Sequence, residues 1–153
     1  RGQCVGCHTV TPDGCGAAAG REISVSTVQQ VVLDAAGRDR NWNLRASLFQ
    51  SFSADGRYLA QTLNGELRVH TVDGEMAMRR ELAGSNGEVT YLSHPAWTPD
   101  GKGIVVTRLS AGSQVTDQPL IWSGDIIVID FDNTLDPKTA GAFAFTGMRE
   151  LVK

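Results

Sequence analysis

Phe52-Ser53-Ala54-Asp55-Gly56 is the stretch on which the fold turns. An aromatic residue ends a strand-like run, Leu48 to Phe52, and Ser-Ala-Asp-Gly supplies a tight turn in which Asp bonds nearby backbone and Gly takes positive φ. The segment has two relatives, Val10-Thr-Pro-Asp13-Gly14 before it and Trp97-Thr-Pro-Asp100-Gly101 after it, spaced 42 and 45 residues away. A period of about 40–45 residues is the length of one four-stranded propeller blade.

Working outward from the middle copy, Arg57 to Thr62 alternates as a strand, and Asn64-Gly65 is a strong two-residue hairpin signal. Glu66 to Thr71 alternates strictly, which predicts a strand with one face in water. Val72-Asp73-Gly74 turns the chain once more, and Met78 to Leu82 is the expected outer strand. The third copy repeats this plan with Ile104 to Leu109 and Ile126 to Asp130. The first copy is more irregular, with expected strands at Gly14 to Ala19, Glu22 to Thr27 and Val31 to Leu33. Ala140 to Lys153 reads as a strand beginning a further element, because Gly141 and Gly147 disfavour helix.

The expected fold class is therefore all-β: about three propeller-like blades of four antiparallel strands, forming a partial propeller. The expected division is a segment at 1–9, blade one at 10–46, blade two at 47–88, and blade three with the start of the next element at 89–153. Three blades cannot close a ring on their own, since propellers use about four to eight. The remainder of the propeller, or another subunit, is the expected partner that completes the arc. The three repeats resemble those of the TolB-like, WD-type propeller family, over roughly residues 8 to 133. That resemblance implies the propeller fold and leaves function open, because propellers host unrelated activities.

Composition sets the limits on function. Of 153 residues, 41% are hydrophobic, 20% are charged and 17 are glycine, which excludes a disordered or collagen-like chain. A net charge of −3 offers no electrostatic attraction for nucleic acid. No apolar run approaches the roughly 18 residues that span a bilayer as a helix. The sequence begins at Arg1 without a basic and apolar leader, so a mature chain or a fragment is expected.

All three cysteines fall within the first fifteen residues. Cys4-Val5-Gly6-Cys7-His8 fits the pattern for covalent c-type haem attachment, in which two thiols reach the two porphyrin vinyl groups and the adjacent imidazole reaches iron. Chance placement of this pentapeptide in such a composition is on the order of one in a thousand. Its continuation, Cys-His-Thr-Val, resembles the attachment segment of small c-type cytochromes, although here it runs into a propeller turn and not along a helix. The expected cofactor is haem c, held by Cys4, Cys7 and His8. Three other readings stay open: a disulfide from Cys4 or Cys7 to Cys15, a zinc clip of Cys4, Cys7, His8 and Cys15, and a redox-active dithiol.

A distal iron ligand follows from repeat position. His94 lies three residues before Trp97, as Cys7 lies three before Val10, so His94 is the first candidate and Met148 the second. The long segment Ser110 to Gly124 carries Pro119, Leu120, Ile121 and Trp122, an apolar tip expected to form an interaction loop. A haem protein of this kind is expected to work with a redox partner protein and to be periplasmic or extracellular. The rival expectation is a TolB-like protein-interaction scaffold with no enzymatic activity and a structural cysteine segment, holding zinc or no cofactor. Ile126 to Leu135 resembles the first motif of haloacid-dehalogenase-type phosphatases through Asp130 and Asp132, but only 18 residues follow it and no magnesium motif is available. A calcium site from Asp130, Asp132, Asn133 and Asp136 lacks the EF-hand spacing. Arg38, Arg40 and Arg45 around Trp42 read as a solvated link between blades.

Overall fold

The computed structural model describes residues 5–14, 17–24, 27–33, 36, 38, 49–63, 66–71, 76–80, 82–83, 89–90, 92–109, 124–134 and 145–152. Every regular element among them is a β-strand. Blade one contains β1 (Val5–Val10), β2 (Ala17–Ser24) and β3 (Thr27–Leu33), paired in that order. Blade two contains β4 (Phe49–Phe52), β5 (Tyr58–Leu63), β6 (Glu66–Thr71) and β7 (Met76–Arg80). A short ribbon of β8 (Leu82–Ala83) and β9 (Val89–Thr90) follows. Blade three contains β10 (Leu92–Trp97), β11 (Gly103–Leu109), β12 (Gly124–Phe131) and β13 (Phe145–Val152). All pairings are antiparallel between consecutive strands, as in propeller blades.

The three Asp-Gly turns are the same object built three times. Gly14, Gly56 and Gly101 have φ of 71°, 70° and 67°, the left-handed region that a Cβ disfavours. Each glycine N–H donates to the carbonyl three residues back, on Thr11, Ser53 and Thr98, at 2.9 Å. The hydroxyls of those same residues donate to Asp13, Asp55 and Asp100 at 2.6, 2.7 and 2.6 Å. Asp55 and Asp100 also accept the backbone N–H of Arg57 and Lys102, each at 3.0 Å. Ser53 and Thr98 close the hairpins by accepting the N–H of Tyr58 at 3.0 Å and of Gly103 at 2.9 Å. The local signal is strong because in each turn the glycine N–H, the Ser or Thr hydroxyl and the Asp carboxylate find partners within the turn itself.

The main core lies between blades two and three. Tyr58, Ala60, Leu67 and Val69 on one sheet meet Leu92, Ile104, Val106, Ile127, Ile129, Phe131 and Phe145 on the other. Trp97 locks the two together: its ring lies 5.9 Å from Tyr58 and 5.1 Å edge-on to Phe131, and its Nε1 donates to Ser51 O at 3.1 Å. Each fully buried aliphatic side chain here contributes about 1.5–3 kcal/mol. Blade two meets blade one through polar groups as well, since Gln50 donates to Ala18 O at 3.0 Å and accepts from Gln61 at 3.3 Å.

Four details depart from the sequence reading. In blade one β2 runs through Gly20 and Arg21, where a break is expected, and on to Ser24, which pairs with Thr27 at the start of β3. The outer strand of blade two starts at Met76. Strand β6 is buried on both faces, because a blade is sandwiched between two neighbours. Finally, β13 pairs with β12 and is the outer strand of blade three, not the start of a new element. Asn64-Gly65, Val72-Asp73-Gly74, Arg40, Trp42, Arg45 and Asp136 lie outside the described residues.

Candidate functional site

Strands β1 and β10 share an irregularity at the same repeat position. In β1, Gly6 pairs with Gly20 and Thr9 with Ala18, so Cys7 and His8 together oppose the single residue Ala19. In β10, Ser93 pairs with Thr107 and Ala96 with Val105, so His94 and Pro95 together oppose Val106. Both are β-bulges, devices that bend a strand and re-aim its side chains. The two bulges stand three residues before Val10 and Trp97, the corresponding ends of the inner strands.

Phe49 holds the equivalent place in blade two, three residues before Phe52. Its ring lies 3.7 Å from the His94 ring, tilted by 33°. Strand β4 packs against both β1 and β10, so the positions of Cys7, Phe49 and His94 fall at one level of three neighbouring inner strands. His94 has φ of 49°, the one non-glycine residue among those described with positive φ. A histidine in this region costs about 1–2 kcal/mol of backbone strain. The bulge, the Phe49 contact and a 2.8 Å hydrogen bond between Nδ1 and the buried Ser93 hydroxyl hold it there. His94 is exposed, and the partial desolvation of its ring lowers its pKa below the usual value. A neutral imidazole is the form that coordinates metal.

The other expected site residues are placed as follows. Cys4, Cys15 and the loop residues Pro119, Leu120, Ile121 and Trp122 lie outside the described residues. Met148 lies on β13 opposite Ile129 and is 46% exposed. That strand is three ladders from β10, about 14 Å at the spacing of paired strands, and through Ile129 and Ile104 Met148 stands level with Trp97, three residues beyond His94. Asp130 lies on β12, where Arg149 approaches its Oδ1 at 3.4 Å. Asp132 instead closes a turn by accepting from Thr134, and Asn133 donates to Gly101 O at 3.3 Å. The phosphatase-like motif is thus the third strand of an antiparallel blade. Among the described residues no group of three or more His, Cys, Asp or Glu side chains is gathered to hold a metal ion, and no helix is long and apolar enough to cross a membrane.

Two features escaped the sequence reading. Phe49 was visible by aligning the repeats, since it shares a column with Cys7 and His94. His70 was not: its 3% exposure, with no hydrogen-bond partner for either ring nitrogen among the described residues, follows from packing between blades.

No protein-family model matches the sequence, and no curated protein matches it. Solved structures do. The β-propeller domain of Cps50 (Swd1) from Myceliophteria thermophila aligns over 84% of this chain and 40% of its own, with a TM-score of 0.55 and 10% identity. The tricorn protease aligns over 97% of this chain and 16% of its own, with a TM-score of 0.52 and 15% identity. A putative TolB from Agrobacterium tumefaciens covers 84% of this chain and 55% of its own, at a TM-score of 0.46 and 19% identity. This chain therefore spans less than two thirds of each of these proteins. At such identities the likeness concerns the fold alone: the chain has the β-propeller fold, as a set of consecutive blades.

Proposed function

We propose that this chain is the part of an exported β-propeller that carries one covalently attached haem c and passes electrons to a partner protein. Cys4 and Cys7 would hold the haem through thioethers to its two vinyl groups, and His8 would offer its imidazole to the iron. Bound haem supplies one-electron redox chemistry. His94, oriented by the Ser93 hydroxyl and the Phe49 ring, would offer its imidazole as a second ligand to the iron. A histidine pair holds a haem potential lower than a histidine and methionine pair does. Periplasmic or extracellular location is part of the proposal, because covalent haem attachment in known c-type systems takes place there.

The observation that carries this reading is the matched bulge. Cys7-His8 and His94-Pro95 interrupt equivalent inner strands at the same level, with aromatic Phe49 between them. The test is production of the chain alongside a c-type maturation system, followed by intact mass and absorption spectra. One haem adduct per chain is expected, lost in Cys4→Ser/Cys7→Ser, with a changed low-spin spectrum in His94→Ala. Protein of bare polypeptide mass and no Soret band refutes the reading.

A second reading is a protein-docking scaffold, in which the cysteine segment is a disulfide or zinc clip and Pro119 to Trp122 contact the partner. It is favoured by Met148 and Leu151 on the outer strand of blade three, 46% and 51% exposed. The same mass measurement separates the readings, because haem, zinc and a disulfide change the mass differently.

A further inference from the structure

In β10 the exposed His94 stands between two buried residues, Ser93 and Pro95. Pro95 has a fixed φ and no N–H to lose, and His94 itself is held at φ of 49°. The backbone that carries the imidazole is therefore set on both sides of the ring. What is left to choose is rotation about Cβ–Cγ, which for histidine is broad and roughly two-fold. A half-turn there exchanges Nδ1 with Cδ2 and Nε2 with Cε1.

Two contacts act on that rotation. Phe49 lies 3.7 Å from the ring centroid at a tilt of 33°, against the face of the imidazole. A face contact fixes the plane of the ring and is nearly the same for both half-turn states. The Ser93 hydroxyl distinguishes them: it lies 2.8 Å from Nδ1, and a ring carbon in that place offers it no hydrogen bond. Ser93 is 3% exposed, so a half-turn of the imidazole would strand a buried hydroxyl without this partner, which is costly.

The hydroxyl also suits what a ligating histidine needs. It has one donor and two acceptor lone pairs, so it can donate to a bare Nδ1 or accept from Nδ1–H. When Nε2 gives its lone pair to a metal, the neutral ring carries its proton on Nδ1, and ligating histidines almost always donate that N–H to a partner. Ser93 can become that partner by turning only its hydroxyl hydrogen. The serine is not a requirement of the blade, because the corresponding positions in the other two repeats, four residues before Val10 and Phe52, are Gly6 and Leu48.

We propose that Ser93 is the positioning residue of the second iron ligand: its hydroxyl selects the ring orientation in which His94 ligates through Nε2, and it accepts the Nδ1–H of the ligated ring. The inference rests on the haem reading above and adds to it which nitrogen ligates and what holds that nitrogen in place. Phe49 sets the plane of the imidazole and Ser93 sets which edge is turned outward.

Cyanide titration of the haem-loaded chain, followed in the Soret band beside intact mass, tests it. Ser93→Ala is expected to keep the haem adduct and the far-ultraviolet spectrum of the parent. The cyanide concentration that displaces His94 by half is expected to fall about 10–100-fold, the usual effect of removing a partner of a ligating histidine. Ser93→Thr keeps the hydroxyl and is expected to titrate as the parent does. An unchanged titration in Ser93→Ala overturns the positioning role and leaves the haem reading standing. A Ser93→Thr titration as weak as that of Ser93→Ala does the same, because packing and not the hydroxyl then matters. A spectrum unchanged in His94→Ala removes the ligand and the role of Ser93 with it. A parent chain of bare polypeptide mass overturns the haem reading and this inference together.

Discussion

Lowering the pH from 7 to 5 is expected to weaken the fold chiefly through one side chain, His70. The imidazole is 3% exposed on β6, opposite Leu59 and Met76 in the ladder, and neither ring nitrogen has a hydrogen-bond partner among the described residues. Burial, assisted by the nearby Arg68 charge, pushes its pKa down from 6.5 to about 4. The unfolded chain therefore takes up a proton near pH 6.5 that the folded chain refuses until near pH 4. Stability is full above pH 6.5 and falls as the pH drops through that interval. Worked from 1.36 kcal/mol per unit of pKa difference, the loss is about 2 kcal/mol by pH 5 and about 3 kcal/mol by pH 4. The carboxylates act in a different window. Hydrogen bonds from Thr98 and the Lys102 amide hold Asp100 below its usual pKa of 3.8, and bonds from Thr134 do the same for Asp132. Burial raises Asp55, but Ser53 and Arg57 outweigh it and its pKa is also lowered. Their contribution is present above pH 3.8 and disappears only below it. Urea denaturation followed by tryptophan fluorescence at pH 7, 6 and 5 reads the histidine window. In His70→Leu the fall between pH 7 and 5 is expected to shrink to the small remainder from His94, with stability at pH 7 equal or higher because two unpartnered nitrogens are gone. A pH dependence in His70→Leu as steep as in the parent refutes the reasoning.

Three further outcomes follow from the packing. Trp97→Phe removes the indole donor to Ser51 O that ties blade three to blade two, which should cost about 0.5–1.5 kcal/mol in thermal or urea denaturation. Gly101→Ala is expected to destabilise more than Gly14→Ala by the same assay. Both place a Cβ at positive φ at about 1–2 kcal/mol, but only at Gly101 does the new atom press on a neighbour, Asn133 Nδ2 at 3.3 Å. Ile129→Ala, at 1% exposure in the core between blades two and three, should cost about 2–5 kcal/mol and lower the urea midpoint accordingly.

Much of the fold was legible because its information is local. Ser53-Ala-Asp55-Gly56 and its two counterparts satisfy their own hydrogen bonds and demand glycine at one φ, so the turn and the 42–45 residue spacing announce the blade. Strands such as Ile104 to Leu109 announce themselves by composition for the same reason. Positions whose environment comes from another blade were harder. The alternation of Glu66 to Thr71 predicts one wet face, yet both faces are covered, and nothing within six residues could say so. The direction of Ala140 to Lys153 was similarly open, since a strand has no local mark of which sheet it joins.

The candidate site divides along the same line. Cys4-Val5-Gly6-Cys7-His8 is a chemical pattern written in adjacent residues, and His94 was reached by counting back from a repeat, so both belong to the sequence. That His94 adopts φ of 49° in a bulge, stacks on Phe49 and takes a hydrogen bond with Ser93 was decided by three strands packing side by side. Turns and repeats are fixed by contacts between near neighbours in the chain, and the sequence alone determines them. The burial of His70 and the level shared by positions 7, 49 and 94 are set by contacts between blades, which exist only once the chain is folded.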